Sequence, residues 1–436
     1  MSLSIIVLAA GKGSRMLSTH PKVLHEVGNY PMLFHVLDIA ASFKKSDVNL
    51  VISKELIRFK ELIKKKYRNI IFSIQDKQRG TADAVSSALK NKEMRESNIT
   101  MILYGDTPLI SRKMLKDAVD KFKKRKLDLC VISMKPETKM NNYGKLKFVN
   151  NKLVGIVEQI EVKDNDKCSE ICNSGMMIFK TSHLKKLLKI VSCKNKKNEF
   201  YLTDMVKIFY EKSFIVDHFL CAYEDSLGVN SMEDLAKVNE QFQNKKRKQL
   251  LKDGVSIESP DNVFFSYDTK IGKGVIIQPY VYFGPSVTIK NEVTIRSFCY
   301  LDHVKINDHV TIGPFARVRD DVEIDENTKI GNFVEIKKTK LKKGVKISHL
   351  AYVGDSIINK NTNIGAGAIT CNYDGVNKNK TIIGEDCFIG SNTSLVAPLN
   401  IKRGSIIGAG TVVNKDIPNE TLVYRKSELI KKDKKK

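Results

Sequence analysis

Apolar residues recur every six positions from about residue 265 onward, and that period constrains this chain more than any other feature of it. Ile271, Ile277, Phe283, Ile289, Ile295 and Leu301 keep the step. After one five-residue interval Ile306, Ile312, Val318, Ile324, Ile330 and Ile336 keep it again, and Ile383, Ile389, Leu395, Ile401, Ile407 and Val413 resume it later. A second comb, Val275, Val281, Val287 and Val293, runs four residues behind the first. A helix repeats near 3.6 and a strand at 2, so six fits neither. It fits a coil of short straight segments, each placing one apolar side chain inward and then turning. Stacked coils bury a continuous column and bond backbone to backbone between neighbours. Chance spacing in an Ile-rich chain does not give six hits in a row twice. The rhythm breaks at 338–346 and 371–381, which are expected to be loops or extensions.

Residues 1–232 follow another pattern. Short apolar runs at Leu3–Leu8, Val48–Ser53, Ile70–Gln75, Ile99–Tyr104 and Asp128–Met134 alternate with amphipathic stretches at Leu33–Phe43, Lys54–Tyr67, Thr81–Leu89 and Arg112–Lys123. This is the βαβ rhythm of a parallel, doubly wound α/β sheet of Rossmann-like type. Residues 233–253 read as one charged helix with a thin apolar stripe at Leu235, Val238 and Phe242, then Leu250 and Leu251; Gly254 and Pro260 punctuate its end. The expected domains are therefore 1–232, a helical linker at 233–253, and 254–436.

A chain of 436 residues is too long for one ordinary core, which agrees with two domains. No apolar run is long enough to span a bilayer, and the N-terminus lacks the features of a secretory signal, so the expected location is cytoplasmic and no membrane partner is expected. The eight cysteines lack paired CxxC spacing, against a disulfide frame or a zinc site. The formal charge of +25 favours anionic partners such as nucleotides, sugar phosphates and CoA. Its lysines are spread along the chain without interleaved aromatics, so no nucleic-acid partner is expected.

The first strand runs into Leu8-Ala9-Ala10-Gly11-Lys12-Gly13-Ser14-Arg15-Met16. A Gly-rich turn after a strand exposes N–H groups that can cradle phosphate. Met16 stands where a dinucleotide fingerprint needs its third Gly, and no Gly-Lys-Ser/Thr follows for a P-loop. Two cations beside the turn, Arg15 and Lys22, suit a triphosphate instead. Asp106, closing Tyr104-Gly105-Asp106 at a strand end, is well placed for a metal in the crevice, where Mg²⁺ takes oxygen ligands and keeps waters.

These stretches, with Pro21-Lys22-Val23-Leu24, resemble the signature of sugar-phosphate nucleotidyltransferases. Over nearly the whole chain the sequence resembles the bifunctional N-acetylglucosamine-1-phosphate uridyltransferase / glucosamine-1-phosphate acetyltransferase family. The resemblance implies that Leu8, Ala9, Ala10, Gly11, Gln75, Gly80 and Thr81 hold the uracil nucleotide, that Arg15 and Lys22 are catalytic phosphate contacts, and that Asp106 and Asn230 bind Mg²⁺. It places the UDP-sugar against Tyr104, Gly105, Asp106, Gly144, Glu158, Asn173, Tyr201, Thr203 and Asn230. The family usually carries a Lys-Asp-Ala run soon after the Glu; this chain reads Glu158-Gln159-Ile160-Glu161-Val162, with Lys163 as the nearest basic group. In-line attack of a sugar 1-phosphate on the α-phosphorus of UTP needs positioning and charge neutralisation, and no general base.

For the repeat half the resemblance implies a left-handed β-helix of the hexapeptide acyltransferase kind, commonly a homotrimer with sites between subunits. It makes His349 the base that takes a proton from a sugar amine, work an imidazole suits near neutrality. Arg319, Lys337, Tyr352 and Asn363 would hold the amino-sugar 1-phosphate. Ala366, Asn372, Tyr373, Lys378, Ser391, Ala409 and Arg425 would line the acetyl-CoA path, with Lys426 as an alternative to Arg425. The expected function is acetyl-CoA-dependent N-acetylation of glucosamine 1-phosphate followed by Mg²⁺-dependent uridylyl transfer from UTP, as in cell-wall and surface-glycan precursor synthesis. The alternatives are another sugar nucleotidyltransferase with a purely structural β-helix, a catalytically silent regulatory subunit, and a chain with one dead site.

Overall fold

The computed structural model describes residues 2–136, 143–158, 169–426 and 429–432. It divides into two compact units, Met1–Phe242 and Gln243–Lys436.

The first unit is built on one sheet. Its strands are β1 (Leu3–Ala9), β2 (Asp47–Ile52), β3 (Ile70–Ile74), β4 (Ile99–Tyr104), β5 (Leu129–Met134), the hairpin β6 (Lys145–Val149) and β7 (Lys152–Val157), β8 (Cys172–Lys180) and β9 (Val216–Leu220). The order along the sheet is β3-β2-β1-β4-β8-β5-β9, with the hairpin attached through β6 to β8. Helices α1 (Met32–Ala41), α2 (Lys60–Lys66), α3 (Thr81–Leu89), α4 (Arg112–Lys124), α5 (Thr181–Leu187) and α6 (Asp204–Glu211) accompany it. Central β1 is buried from Ser4 to Ala9, as expected of a parallel strand covered on both faces. α4 starts where Ser111 Oγ accepts the N–H of Met114 at 3.2 Å, an N-cap.

Two expectations need correction. The sheet is mixed, because β8 runs antiparallel to both β4 and β5. Met176–Phe179 is fully buried, and a strand buried on both faces reads the same in either direction. The stretch 54–67 is a 3₁₀ turn, Lys54–Phe59, followed by the shorter helix α2.

In the second unit three parallel sheets of ten, nine and eight short strands form the faces of a prism. Each coil visits all three. On the first face Ile277, Ile295, Ile312, Ile330, Ile347, Ile364, Ile389 and Ile407 pair in unbroken register and are buried. One such side chain contributes about 1.5–3 kcal/mol on burial, so the column carries much of this unit's stability. Segment 338–346 is not an extension. It holds Lys340–Leu341 on the third face and the start of Lys346–His349 on the first. One step is shortened to five residues there, and the buried Thr339 hydroxyl ties the turn to Lys337 O at 2.8 Å. Segment 371–381 does project, as a hairpin closed by a bridge between Tyr373 and Lys378.

The helix α7, Met232–Lys252, opens with a capping box. Asp234 N–H donates to Ser231 Oγ, and Asp234 Oδ2 accepts the N–H groups of Asn230 and Ser231. The unit boundary falls inside this helix, between Phe242 and Gln243. Beyond it, buried Gln243 exchanges two hydrogen bonds with the Phe265 backbone, Arg247 bonds Val263 O and Asp261, and Leu250 joins the apolar column, so these residues cap its first coil. Among the described residues no helix is long and apolar enough to cross a membrane.

Candidate active sites

In the first unit the expected residues gather at the C-terminal ends of β1 and β4, where the crevice of an open α/β sheet lies. β1 delivers Leu8, Ala9 and Ala10, all buried, and then exposed Gly11. Gly105 N–H donates to Leu8 O, which draws the tip of β4 against this turn. Val229 N–H donates to Asp106 O, and the capping box fixes the next residue, Asn230. Lys22 stands between the two oxygens so placed: its Nζ is 2.5 Å from Asp106 Oδ2 and donates to Asn230 Oδ1 at 3.1 Å. Arg15 donates to the same Asn230 oxygen at 2.9 Å. A carboxylate and an amide oxygen thus face one point that already holds a cationic nitrogen. That donor set fits a hard divalent cation. Among the described residues no three His, Cys, Asp or Glu form a metal cluster, so water and substrate phosphate would fill the remaining positions.

The loop expected to hold the nucleotide is fastened from two sides. Gln75 is buried, and its Nε2 donates to Gly80 O and Asp83 Oδ2, both at 3.0 Å. Gly80 has φ +115°, and a Cβ there would lie 2.5 Å from Phe200 O, so only Gly lets the loop lie on 199–203. Leu202 N–H donates to Thr81 Oγ1, and Ala82 N–H to Phe200 O. These bonds bring Tyr201 and Thr203 alongside the loop. Thr203 Oγ1 donates to Glu158 Oε1 at 3.0 Å. Glu158 borders Gly144, whose carbonyl accepts the N–H of Asn173. Tyr104 closes this wall beneath Gly175 and bonds Thr81. Burial, then the charges of Asp106 and Glu158, push its phenol well above the usual range. The altered stretch at 159–163 lies outside the described residues.

In the second unit His349 ends a strand at the turn from the first face to the second. It is exposed, and its Nδ1 is 2.6 Å from Asn332 Oδ1. An amide oxygen only accepts, so Nδ1 carries the proton and Nε2 is left with the lone pair. Asn332 pairs with His349 in register on the preceding coil. It was absent from the expected residues, although the period could have found it, because residue 349 less one 17-residue coil is 332. Ala366, Ser391 and Ala409 follow on successive coils, where Asn392 N–H donates to Ala366 O and Gly410 N–H to Ser391 O. Small side chains thus descend from His349, leaving a path along the backbone. The final strand, Leu422–Val423, lies on the last coil, and exposed Arg425 and Lys426 come just after it.

Arg319 and Lys337 are paired across adjacent strands of the second face. Tyr352, one coil on, pairs with Glu335. Its hydroxyl and Asn372 Nδ2 converge over Gly354, the partner of Lys337. Asn363 projects from the first face beside Lys346, on the other side of the corner. Tyr373 and Lys378 are exposed on the hairpin, which Asp374 braces by accepting the N–H groups of Val376 and Asn377. Those bonds, with Asn377 first, hold the Asp374 carboxyl below its usual range.

Gly331 explains how closely these coils approach. A Cβ there would lie 1.8 Å from Ser348 O, the residue before His349. Gly331→Ala is therefore expected to cost about 3 kcal/mol and to lower the melting temperature of this unit. It should also impair the His349 site more than the Lys22 site, as parallel assays of the two reactions would reveal.

The nucleotidyl transferase family matches residues 4–245. The bacterial transferase hexapeptide (six repeats) matches 268–303, the GMPPB C-terminal domain 301–397, and the hexapeptide repeat of succinyl-transferase 380–415. Proteins named bifunctional protein GlmU resemble the chain along its whole length. That of Zymomonas mobilis is 40% identical over 432 residues, covering 98% of this chain and 94% of its own. Those of Wolbachia pipientis wMel and Bartonella bacilliformis are 36% and 38% identical, each over 98% of this chain and over 98% and 95% of their own. A Rossmann-like nucleotidyltransferase sheet followed by a left-handed β-helix of hexapeptide repeats is the architecture these matches describe, and the chain belongs to the bifunctional GlmU family.

Proposed function

We infer that the chain is a bifunctional enzyme of UDP-N-acetylglucosamine synthesis: the repeat unit acetylates glucosamine 1-phosphate with acetyl-CoA, and the sheet unit then transfers uridylyl from UTP to the product, releasing pyrophosphate. Two separate constellations in one chain carry this reading. One is Lys22 set between Asp106 and Asn230, the other the imidazole of His349 held by Asn332. A structural β-helix has no use for an oriented base above a column of small residues, which counts against the alternative of a lone nucleotidyltransferase.

In the sheet unit, residues 1–232, the exposed N–H groups from Gly11 onward and the cations Arg15 and Lys22 orient the triphosphate in line with the attacking sugar phosphate. Gln75, Gly80 and Thr81 seat the base. Gly144, Glu158, Asn173, Tyr201 and Thr203 seat the sugar. Asp106 and Asn230 would hold Mg²⁺, which supplies charge neutralisation on the phosphates when bound. In the repeat unit, residues 254–436, His349 Nε2 takes a proton from the sugar amine as it attacks the thioester carbonyl; the amide bond forms, the C–S bond breaks, and CoA leaves as the thiol. Arg319, Lys337, Tyr352 and Asn363 hold the sugar phosphate; Ala366, Asn372, Tyr373, Lys378, Ser391, Ala409 and Arg425 line the CoA path. The helix Met232–Lys252 joins the two, and the enzyme works in the cytoplasm.

The partner in solution is this chain itself, as a homotrimer. Supporting it, Tyr280, Phe298, Phe315, Phe333 and Leu350 project at the His349 corner, all with positive φ. The four aromatic rings stack at 5.1, 4.7 and 5.1 Å, yet each of the five side chains remains about half exposed. A left-handed backbone is costly for such residues, and a contiguous apolar stripe marks an association surface. Sedimentation should give the mass of three 49.3 kDa chains, and Phe333→Asp should weaken association by roughly 100-fold, since a charge buried unpaired at a seam costs several kcal/mol. A monomeric parent protein would sink the trimer.

The overall test uses purified protein. With Mg²⁺, UTP and N-acetylglucosamine 1-phosphate it should release pyrophosphate; with acetyl-CoA and glucosamine 1-phosphate it should release free thiol. Failure of either assay removes that half of the reading.

A further inference from the structure

The cations expected to clamp the sugar phosphate already hold a carboxylate. Arg319 Nη1 donates to Asp320 Oδ2 at 2.7 Å, and Lys337 Nζ lies 3.7 Å from that same oxygen. One carboxylate oxygen therefore stands between both cations, as a phosphate oxygen would. The other edge of the guanidinium, Nε and Nη2, is bound to Glu335 Oε1, each at 2.8 Å.

The two carboxylates differ in how they are held. Glu335 lies within a strand, in register with Arg317 and Tyr352, and Arg317 Nη1 is 3.7 Å from Oε1. It fixes the plane of the Arg319 guanidinium and leaves the Nη1 end presented. Asp320 sits at the turn just past the strand, with φ +60°. Its backbone N–H donates to Asp302 Oδ1 and its carbonyl accepts the N–H of Lys338, so its main chain is tied down. Its short side chain is 39% exposed, so water can replace its ion pairs when it turns out of the clamp.

We propose that Asp320 is a built-in occupant of the phosphate clamp, which the phosphate of the sugar substrate displaces, and that it thereby lowers the affinity of the acetyl-transfer site for that substrate. The inference rests on the clamp reading of Arg319 and Lys337. Physically it is a competition between anions for one guanidinium and one ammonium. A half-exposed carboxylate pair is weak, whereas a phosphate dianion meets Arg and Lys together with more charge and more acceptor oxygens. Substrate wins, but it must first break the Asp320 contact, and the displaced carboxylate then stays nearby as a like charge. Glu335 plays the opposite part: it keeps Arg319 oriented for either anion.

Asp320→Asn keeps the shape, removes the charge and suits a left-handed backbone, which Asn adopts more readily than most residues. Asp320→Gly, also at ease there, is the second variant. In thiol-release kinetics both should lower KM for glucosamine 1-phosphate by about fivefold, with kcat changed much less and KM for acetyl-CoA unmoved. Inorganic phosphate, used as a competitive inhibitor, should tighten by the same factor, because the effect belongs to the phosphate alone. Arg319→Ala is the control for the clamp and should raise KM for the sugar phosphate. If Arg319→Ala raises KM while the Asp320 variants leave it unchanged or raise it, the proposal is overturned and the clamp survives. If Arg319→Ala leaves KM unchanged, the clamp reading falls and the proposal with it.

Discussion

Replacing His349 by Ala should reduce thiol release from acetyl-CoA by about 10²–10⁴-fold, the range that a positioned general base contributes, while pyrophosphate release from UTP continues. The expectation follows from how the imidazole is held. Asn332 Oδ1 fixes Nδ1 as the protonated nitrogen at 2.6 Å, so Nε2 is the atom able to take a proton. The side chain is exposed on the outer corner of the prism, so its removal leaves no cavity and the melting temperature should hold. That separates a chemical role from a structural one. Asn332→Ala should give an intermediate loss, because the ring would remain but lose the partner that orients it. If His349→Ala lowers both reactions together, or neither, the division of labour between the two units is wrong.

The second large effect lies in the other unit. Asp106→Asn should cut pyrophosphate release by about 10²–10³-fold, comparable to losing one preorganised electrostatic contact in an active site, and leave thiol release near its starting value. Asp106 is one of two oxygens around a single point; the other, Asn230, is neutral. Once the carboxylate is gone, that point keeps no anionic ligand, while Lys22 and Arg15 stay beside it. The concentration of Mg²⁺ needed for half-maximal uridylyl transfer should therefore rise sharply. Adding a chelator to the parent enzyme should stop pyrophosphate release and spare thiol release. Full uridylyl transfer by Asp106→Asn at low Mg²⁺ would show that the cation binds elsewhere.

The prism was legible from the sequence because its constraint is local and repeats. Each step must return one apolar residue to the axis, so the positions from Ile271 to Ile336 and from Ile383 to Val413 announce themselves one after another, while Ile347 and Ile364, lying between the two combs, did not. Candidates for the two sites were nameable for another reason: motifs such as Leu8–Met16 pack several chemical requirements into few positions. Where the rhythm broke, the same signal had two meanings. The projecting hairpin after Cys371 was expected, but the interval at 338–346 is a coil shortened by one residue, with Thr339 taking up the turn. Nothing local separates those cases, since both interrupt the comb.

The sequence by itself thus determined the two kinds of unit and the inward column, because each depends on residues near one another along the chain. The tertiary structure alone decided the antiparallel insertion of β8 between β4 and β5, the capping of the first coil by Gln243 and Arg247, and the meeting of Lys22 with Asp106 and Asn230. It alone also set the Asp320 carboxylate between Arg319 and Lys337. These are pairings across sheets and coils. Their partners carry no mark of one another in sequence, because what brings them together is the stacking of buried backbone, whose hydrogen bonds must all be satisfied at once.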